Sequence, residues 1–208
     1  MDLLVLAKEP IPGRVKTRLG PTCSPAEAAA LAEASLADTL ANAVRTGADR
    51  VVLVLDGRPG VWCPSGVVVI PQVGGSLAER LAAAWSDIDG PALQMGMDTP
   101  QADPVTLDRA MSVIDTTGGS VIGLADDGGW WAVGMHRPDP DAILGIPTSR
   151  ADTGDRQLRR LRHRGHTVDL LPSARDVDTW ADAIAVAASV PGSAFAAAVA
   201  AVAGRRST

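Results

Sequence analysis

A three-layer α/β/α sandwich around a mostly parallel sheet is the fold this sequence predicts, and three observations point to it. Short apolar runs bounded by turn residues recur at residues 3–7, 50–55, 67–70, 92–96 and 121–124, with a weaker one at 167–171. Several are continuous rather than alternating, the pattern of strands covered on both faces. Capped amphipathic segments separate most of them, so the chain reads strand, helix, strand with short connections, which builds right-handed parallel units. The composition fits such a core: 46% of the 208 residues are hydrophobic but only 3% are aromatic, with no Tyr and one Phe. Ala, Val, Leu and Ile must therefore fill the interior, with the five Trp as exceptions. The length suits one domain, read as residues 1–190, followed by an Ala-rich helix and tail over 191–208.

The first strand runs into Ala7-Lys8-Glu9-Pro10-Ile11-Pro12-Gly13-Arg14-Val15-Lys16-Thr17-Arg18-Leu19. Lys8, Arg14, Lys16 and Arg18 face a single anion, Glu9, in a chain whose net charge is −5. Pro10 and Pro12 stiffen the loop, and Gly13 allows a turn or a close approach to a ligand. A stiff basic loop leaving a buried strand suits a polyphosphate, because ligands of open α/β sheets lie beyond the carboxyl ends of the strands. A solvated surface loop with scattered cations is the competing reading.

The remaining elements follow in order. Ser24 caps a helix, with Pro25 at its first position and Glu27 completing a capping box. Leu36, Leu40 and Val44 fall on one face, and Gly47 supplies the stop. The second strand ends at Asp56-Gly57, and a short third follows. Ser76 with Glu79 opens a helix whose stripe is Leu77, Leu81 and Trp85. The fourth strand runs straight into Met97-Asp98-Thr99-Pro100, which aims a carboxylate at the crevice of the basic loop. Asp103 and Pro104 start a helix to about residue 117. After the fifth strand, Asp127-Gly128-Gly129 forms a turn between two apolar runs, as in a hairpin. Residues 152–164 form an arginine-laden helix ended by Gly165, read as a solvated face. His163 and His166 have no carboxylate or Cys at ligand spacing and are assigned no metal. Thr179 with Asp182 caps the helix after the last strand. A final helix over 194–203 could pack across the sheet or at a homodimer interface, and residues 205–208 are expected to fray.

The opening signature Ala7-Lys8-x-Pro10-x-Pro12-Gly13-x-Val15-Lys16-Thr17-Arg18-Leu19 resembles that of small bacterial glycosyltransferases of the arsenosugar-biosynthesis, radical-SAM/selenodomain-associated type. These belong to the nucleotide-diphospho-sugar transferase (GT-A-like) superfamily, which also holds guanylyltransferases. The likeness recurs in the segment from Gln72 to Leu81, where Ala78 replaces the usual glycine, and in Met97-Asp98-Thr99-Pro100. It recurs again in Asp127-Gly128-Gly129-Trp130, with Trp in place of Tyr, and in Asp176-Val177-Asp178-Thr179. Pro147-Thr148-Ser149-Arg150 departs from the family's Trp-Ser-Thr segment.

The resemblance implies a GT-A-like fold and a nucleotide site at Ala7, Lys8, Gly13, Arg14, Lys16, Thr17 and Arg18, with Lys16, Arg18 and Asp98 catalytic. It implies Mg²⁺ or Mn²⁺ on Asp98 and a second carboxylate, with Asp178 favoured over Asp176. Asp127, Gly128, Gly129 and Trp130 would line the sugar or acceptor pocket, although a buried Trp130/Trp131 pair filling the core is an equal reading.

Other chemistries lack their residues. The chain has no G-x-x-x-x-G-K-[ST] loop, no G-x-G-x-x-G and no recognisable Ser-His-Asp arrangement. Cys23 and Cys63 stand alone. Net acidity argues against nucleic acid, no apolar run spans a bilayer, and the N-terminus does not read as a secretory signal, so a cytoplasmic enzyme is expected. Cations and carboxylates at strand ends fit transfer from a nucleotide, where positioning and charge neutralisation do most of the work. The donor is either a nucleoside-diphosphate sugar or an NTP, and the partner is a small acceptor.

Overall fold

The computed structural model describes residues 1–206. Strand β1 (Asp2–Lys8) forms from an unbroken apolar run and occupies the interior of a seven-stranded sheet. It runs parallel to β2 (Arg50–Asp56) on one side and to β4 (Ala92–Gly96) on the other. The register places Lys8 beside Asp56 and Leu6 beside Gly96, so three carboxyl ends meet at one edge. Strand β3 (Val68–Pro71) extends the sheet beyond β2. On the far side, β5 (Ser120–Ala125) and β6 (Trp130–Met135) form the expected hairpin, and β6 is antiparallel to β4 as well. Strand β7 (Val168–Ala174) pairs parallel with β5, giving the order β3-β2-β1-β4-β6-β5-β7. The sheet is thus mostly parallel with helices on both faces, as the sequence predicts.

Successive side chains of a strand point to opposite faces, and β1 feeds both cores accordingly. Leu3, Val5 and Ala7 join Leu36 and Leu40 of α1 (Pro25–Ala43) and Leu107 and Ile114 of α3 (Pro104–Thr117). Leu4 and Leu6 join Leu81 of α2 (Leu77–Ala83), Trp85, and Leu161 of α4 (Thr153–His163). A third cluster is built where α5 (Trp180–Ser189) and α6 (Ala194–Arg206) cover the start of α1, with Phe195 and Val199 packed near Leu31.

The helix starts follow the capping chemistry. Ser24/Glu27, Ser76/Glu79 and Thr179/Asp182 all form reciprocal capping boxes, and Asp103 accepts the Thr106 N–H at 2.7 Å. The ends differ more. Helix α1 stops at Ala43, short of Gly47, and the chain passes through tightened turns to Gly47, whose N–H donates to Asp108 Oδ1 of α3 at 2.8 Å. Val44 is then the cap residue and half exposed rather than part of the buried stripe. At the other end, α6 continues to Arg206 instead of fraying from residue 205. Arg205 donates to Glu27 at 3.1 Å and Arg206 to the Thr22 carbonyl at 2.6 Å. Asp38 accepts the N–H groups of Ala194 and Phe195, which offsets the positive end of α6 and fixes it on α1. Ser207 and Thr208, also expected to fray, lie outside the described residues.

His166 meets a carboxylate that its sequence neighbourhood does not offer. Its Nδ1 lies 2.8 Å from Ser120 Oγ and its Nε2 3.2 Å from Asp139 Oδ2. A Ser-His-Asp chain therefore exists, contrary to the sequence reading, but Ser120 is fully buried in β5 and cannot serve as a nucleophile. The chain ties the start of β7 to β5 and to the connection after β6.

Inside the second core, fully buried Gln94 accepts a hydrogen bond from Trp85 Nε1 at 2.9 Å and donates to the Leu81 carbonyl at 3.2 Å. Substituting Gln94→Leu strands both partners without water. It should lower unfolding free energy by about 2 kcal/mol in urea titrations; an unchanged midpoint would show that Trp85 finds another acceptor.

Candidate active site

Beyond β1 the chain turns at Gly13, whose φ of +80° a residue with Cβ seldom adopts. Val15 and Leu19 then plug into the hydrophobic cores and pin the loop at both ends. Between them Lys16 adopts a left-handed backbone, φ 48° and ψ 36°, which is uncommon outside glycine and marks a constrained segment. The consequence is an inward-turned side chain only 8% exposed. Its Nζ lies 2.9 Å from Asp98 Oδ2 and donates to the Val177 carbonyl at 2.6 Å. Lys16 is therefore no surface-loop cation, and its removal should cost more stability than the roughly 0.5 kcal/mol typical of exposed sites.

Asp98 stands just past β4 on a loop braced from α1. The buried hydroxyls of Ser35 and Thr39 both donate to the Met97 carbonyl, at 3.2 and 3.4 Å. Asn42 Nδ2 donates to the carbonyls of Pro100 and Ala102 at 3.1 and 3.2 Å. Asp98 Oδ2 takes Lys16, whereas its Oδ1 is buried with no hydrogen-bond partner. Asp176 faces the same place. Burial, followed by the charges of Asp127 and Asp98, pushes its carboxyl up to about 7. Asp178, the carboxylate favoured from sequence, forms an ion pair with Arg18.

Lys16, Asp98 and Asp176 line a cavity of 380 Å³ with Ala7, Lys8, Arg14, Gln72, Arg80 and Trp130. A second recess of 430 Å³ shares Gly96, Asp98, Asp127, Trp130 and Asp176 with it and adds Arg18, Arg150 and Asp178. Of the expected nucleotide residues, Ala7, Lys8, Arg14 and Lys16 line the first cavity and Arg18 the second. Gly13 and Thr17 shape the loop without lining either. Asp127, whose Oδ1 accepts the Gly129 N–H at 2.7 Å, reaches the cavity together with Gly129 and Trp130. Gly128 does not: at φ +88° it lies against Ala151, and a Cβ there would collide with the Ala151 carbonyl. Both tryptophans serve core and recess. Trp130 lines both cavities and packs against the second core, while Trp131 is buried in the first core, edges the second recess and donates its Nε1 to the Pro172 carbonyl at 3.0 Å.

Sequence reasoning missed Arg80 and Gln72. Gln72 Nε2 donates to the carbonyls of Ala7 and Val54, at 2.6 and 3.0 Å, and fixes the ends of β1 and β2. Arg80 donates to Gln72 Oε1 at 3.2 Å and lies 3.8 Å from Asp56, with its Nε buried and unpartnered. The signal was adjacent: Glu79 is only a cap, as expected, but the residue after it turns into the cavity.

The donor set fits a hard divalent cation. Asp98 Oδ1 is a buried oxygen without a partner, and crowding of carboxylates around Asp176 is what a cation relieves. Among the described residues, no three His, Cys, Asp or Glu side chains stand close enough to hold a metal by themselves. Phosphate oxygens and water would complete the shell, as is usual for Mg²⁺.

The profile of a family described as "uncharacterized protein conserved in bacteria (DUF2064)" matches residues 30–150, more than half of the chain. The protein belongs to DUF2064. The matched part of this DUF2064 chain includes Asp98, Arg80, Asp127 and Trp130, while the basic loop and Asp176 lie outside it. No curated protein matches the sequence. Among solved structures, an inferred nucleotide-diphospho-sugar transferase from Desulfovibrio desulfuricans G20 is 26% identical. That likeness covers 99% of this chain and 95% of that one, with a TM-score of 0.84. Rv0371c from Mycobacterium tuberculosis H37Rv, solved with manganese, is 24% identical over 89% of this chain and 96% of that one, TM-score 0.52. A CMP:2-keto-3-deoxy-manno-octonic acid synthetase complexed with CTP shares the fold at 12% identity, covering 86% of this chain and 93% of that one, TM-score 0.52. The DUF2064 match and the first of these structures support membership of the nucleotide-diphospho-sugar transferase superfamily. Among the described residues, no helix is long and apolar enough to cross a membrane.

Asp176 gives a signed pH dependence. Its folded-state value, about 7, lies above the ordinary 3.8, so between these the folded protein holds a proton that the unfolded chain releases. Asp176 therefore lowers stability as pH rises through that window. Substituting Asp176→Asn should raise Tm relative to wild type at about pH 8 and change it little at about pH 4. Equal differences at both would show that Asp176 ionises normally.

Proposed function

We propose that this protein is a divalent-cation-dependent transferase that moves a sugar from a nucleoside-diphosphate sugar to a small acceptor. The observation that carries the reading is the Lys16–Asp98 pair, 2.9 Å apart at the carboxyl ends of β1 and β4 and lining one cavity. That is where open α/β sheets hold their ligands.

In this reading Lys8, Arg14 and Arg80 neutralise diphosphate charge from one side of the cavity, and Lys16 and Arg18 approach from the other. Asp98 and Asp176 hold Mg²⁺ or Mn²⁺, because Asp178 is engaged by Arg18. When bound, the cation supplies charge stabilisation for the departing nucleoside diphosphate. Asp127, Gly129 and Trp130 bound the acceptor side, where the indole offers a sugar face to stack on. The manganese in Rv0371c, a protein of the same fold, supports the choice of metal. The likeness of the opening signature to the arsenosugar-biosynthesis type supports a sugar as the group transferred. A cytoplasmic enzyme with small-molecule partners, built as one domain over residues 1–190 with the last helix appended, completes the reading.

One observation favours nucleotidyl transfer from an NTP instead. Lys8, Arg14, Lys16 and Arg80 all line the first cavity, more positive charge than a diphosphate needs. The products separate the two reactions. Incubation with Mn²⁺, a small acceptor and a panel of UDP- and GDP-sugars should release nucleoside diphosphate. Incubation with NTPs and phosphorylated acids should release pyrophosphate in the alternative.

Substituting Asp98→Asn should reduce metal-dependent turnover by roughly 100-fold or more while the fold survives. Arg18→Ala should weaken nucleotide binding less, since that guanidinium is two-thirds exposed, at 67%. Calorimetric titration of nucleotide with and without Mn²⁺ on each variant checks both. Unchanged metal dependence in Asp98→Asn would overturn the metal-assisted reading.

A further inference from the structure

We propose that the Lys16 ammonium is a built-in counter-cation at Asp98, so that a divalent ion enters this site only together with phosphate. The inference rests on the metal-dependent reading above and adds to it the order in which the ligands bind.

Lys16 is poorly placed for an ordinary phosphate-binding lysine. Its side chain is buried rather than extended into the cavity, with Nζ against Asp98 Oδ2 and the Val177 carbonyl. Both oxygens are hard ligands of the kind a divalent cation seeks, and the neighbouring Asp98 Oδ1 has no partner. The ammonium thus occupies one oxygen of the carboxylate a metal would use and repels a second cation there. Asp98 is paired with a cation before any metal arrives. The backbone enforces this: Val15 and Leu19 anchor the loop, and the left-handed conformation at Lys16 between them turns the side chain inward.

Release has a direction as well. Lys16 lines the same cavity as Lys8, Arg14 and Arg80, so a polyphosphate held by those cations lies within the space its flexible stem can sweep. Moving Nζ onto a phosphate oxygen exchanges one anionic partner for another and frees Asp98 Oδ2 beside the unpartnered Oδ1. Phosphate and metal are then coupled through one side chain, and coupling of this kind is reciprocal.

The test uses the full-length protein, Mn²⁺ and inorganic pyrophosphate. Protein-bound Mn²⁺ is read by equilibrium dialysis, as the excess of metal on the protein side over that held by pyrophosphate on both sides. Wild type should bind Mn²⁺ alone weakly and much more tightly with pyrophosphate present. Lys16→Gln, whose amide can still donate to the Val177 carbonyl, should bind Mn²⁺ alone about 10-fold or more tightly than wild type. Its gain from pyrophosphate should shrink. Lys16→Met, which lacks the donor, should show the same gain for Mn²⁺ alone, and Lys16→Gln combined with Asp98→Asn should lose it. If wild type binds Mn²⁺ with pyrophosphate but neither Lys16 variant binds Mn²⁺ alone more tightly, the counter-cation role is wrong and the metal reading stands. If no variant binds Mn²⁺ under either condition, the metal reading itself fails and the exchange with it. Circular dichroism of each variant guards against misfolding, and Lys16→Arg, which keeps the charge, should behave as wild type.

Discussion

The contact on which the site depends is the ion pair between the buried Lys16 ammonium and the partly exposed Asp98. An ammonium taken out of water needs full compensation, and Lys16 finds it in a carboxylate and a carbonyl from two distant segments. One side chain thereby joins the loop after β1, the turn after β4 and the segment before α5. Those three segments make the walls of the cavity, so the geometry of the site and its charge balance come from the same interaction.

Around that pair the protein commits polar groups to holding irregular backbone still. A buried stripe on α1, Ser35, Thr39 and Asn42, faces the sheet and supplies the donors that the Asp98 loop cannot find in a ladder. Gln72 performs the same service where β1 and β2 end. In the turn between β5 and β6, Gly128 gives up its side chain so that Ala151 and the start of α4 can close against the hairpin. Each is a local loss of apolar packing or backbone restraint, compensated by a fixed position for a charged neighbour.

The distribution of charge follows from the same constraint. A chain of net charge −5 collects Lys8, Arg14, Lys16 and Arg80 around one cavity and sets Asp98, Asp127 and Asp176 beside them. Asp176 is the carboxylate that burial removes from solvent, and the charges of Asp127 and Asp98 beside it disfavour its ionisation further.

How much of this was legible in the sequence depends on the range of the forces involved. Strand positions, capping boxes and helix starts were readable because the alternation of side chains and the cap hydrogen bonds act within a few residues. The position of Asp98 at a strand end was readable for the same reason, and so was the basic loop. Helix ends were less so: α1 ends at Ala43 rather than at Gly47, and α6 continues because Glu27 and Thr22 hold its last arginines. Asp176 and Asp178 flank fully buried Val177 at equivalent positions, and no local rule ranks them. The packed chain gives them different surroundings, pairing Asp178 with Arg18 and burying Asp176 among other carboxylates. The sequence by itself determined the layers, the strand ends and the kinds of charge gathered there. The tertiary structure alone decided which charges meet, because Lys16 and Val177 stand 161 residues apart and only the closed sheet brings them together.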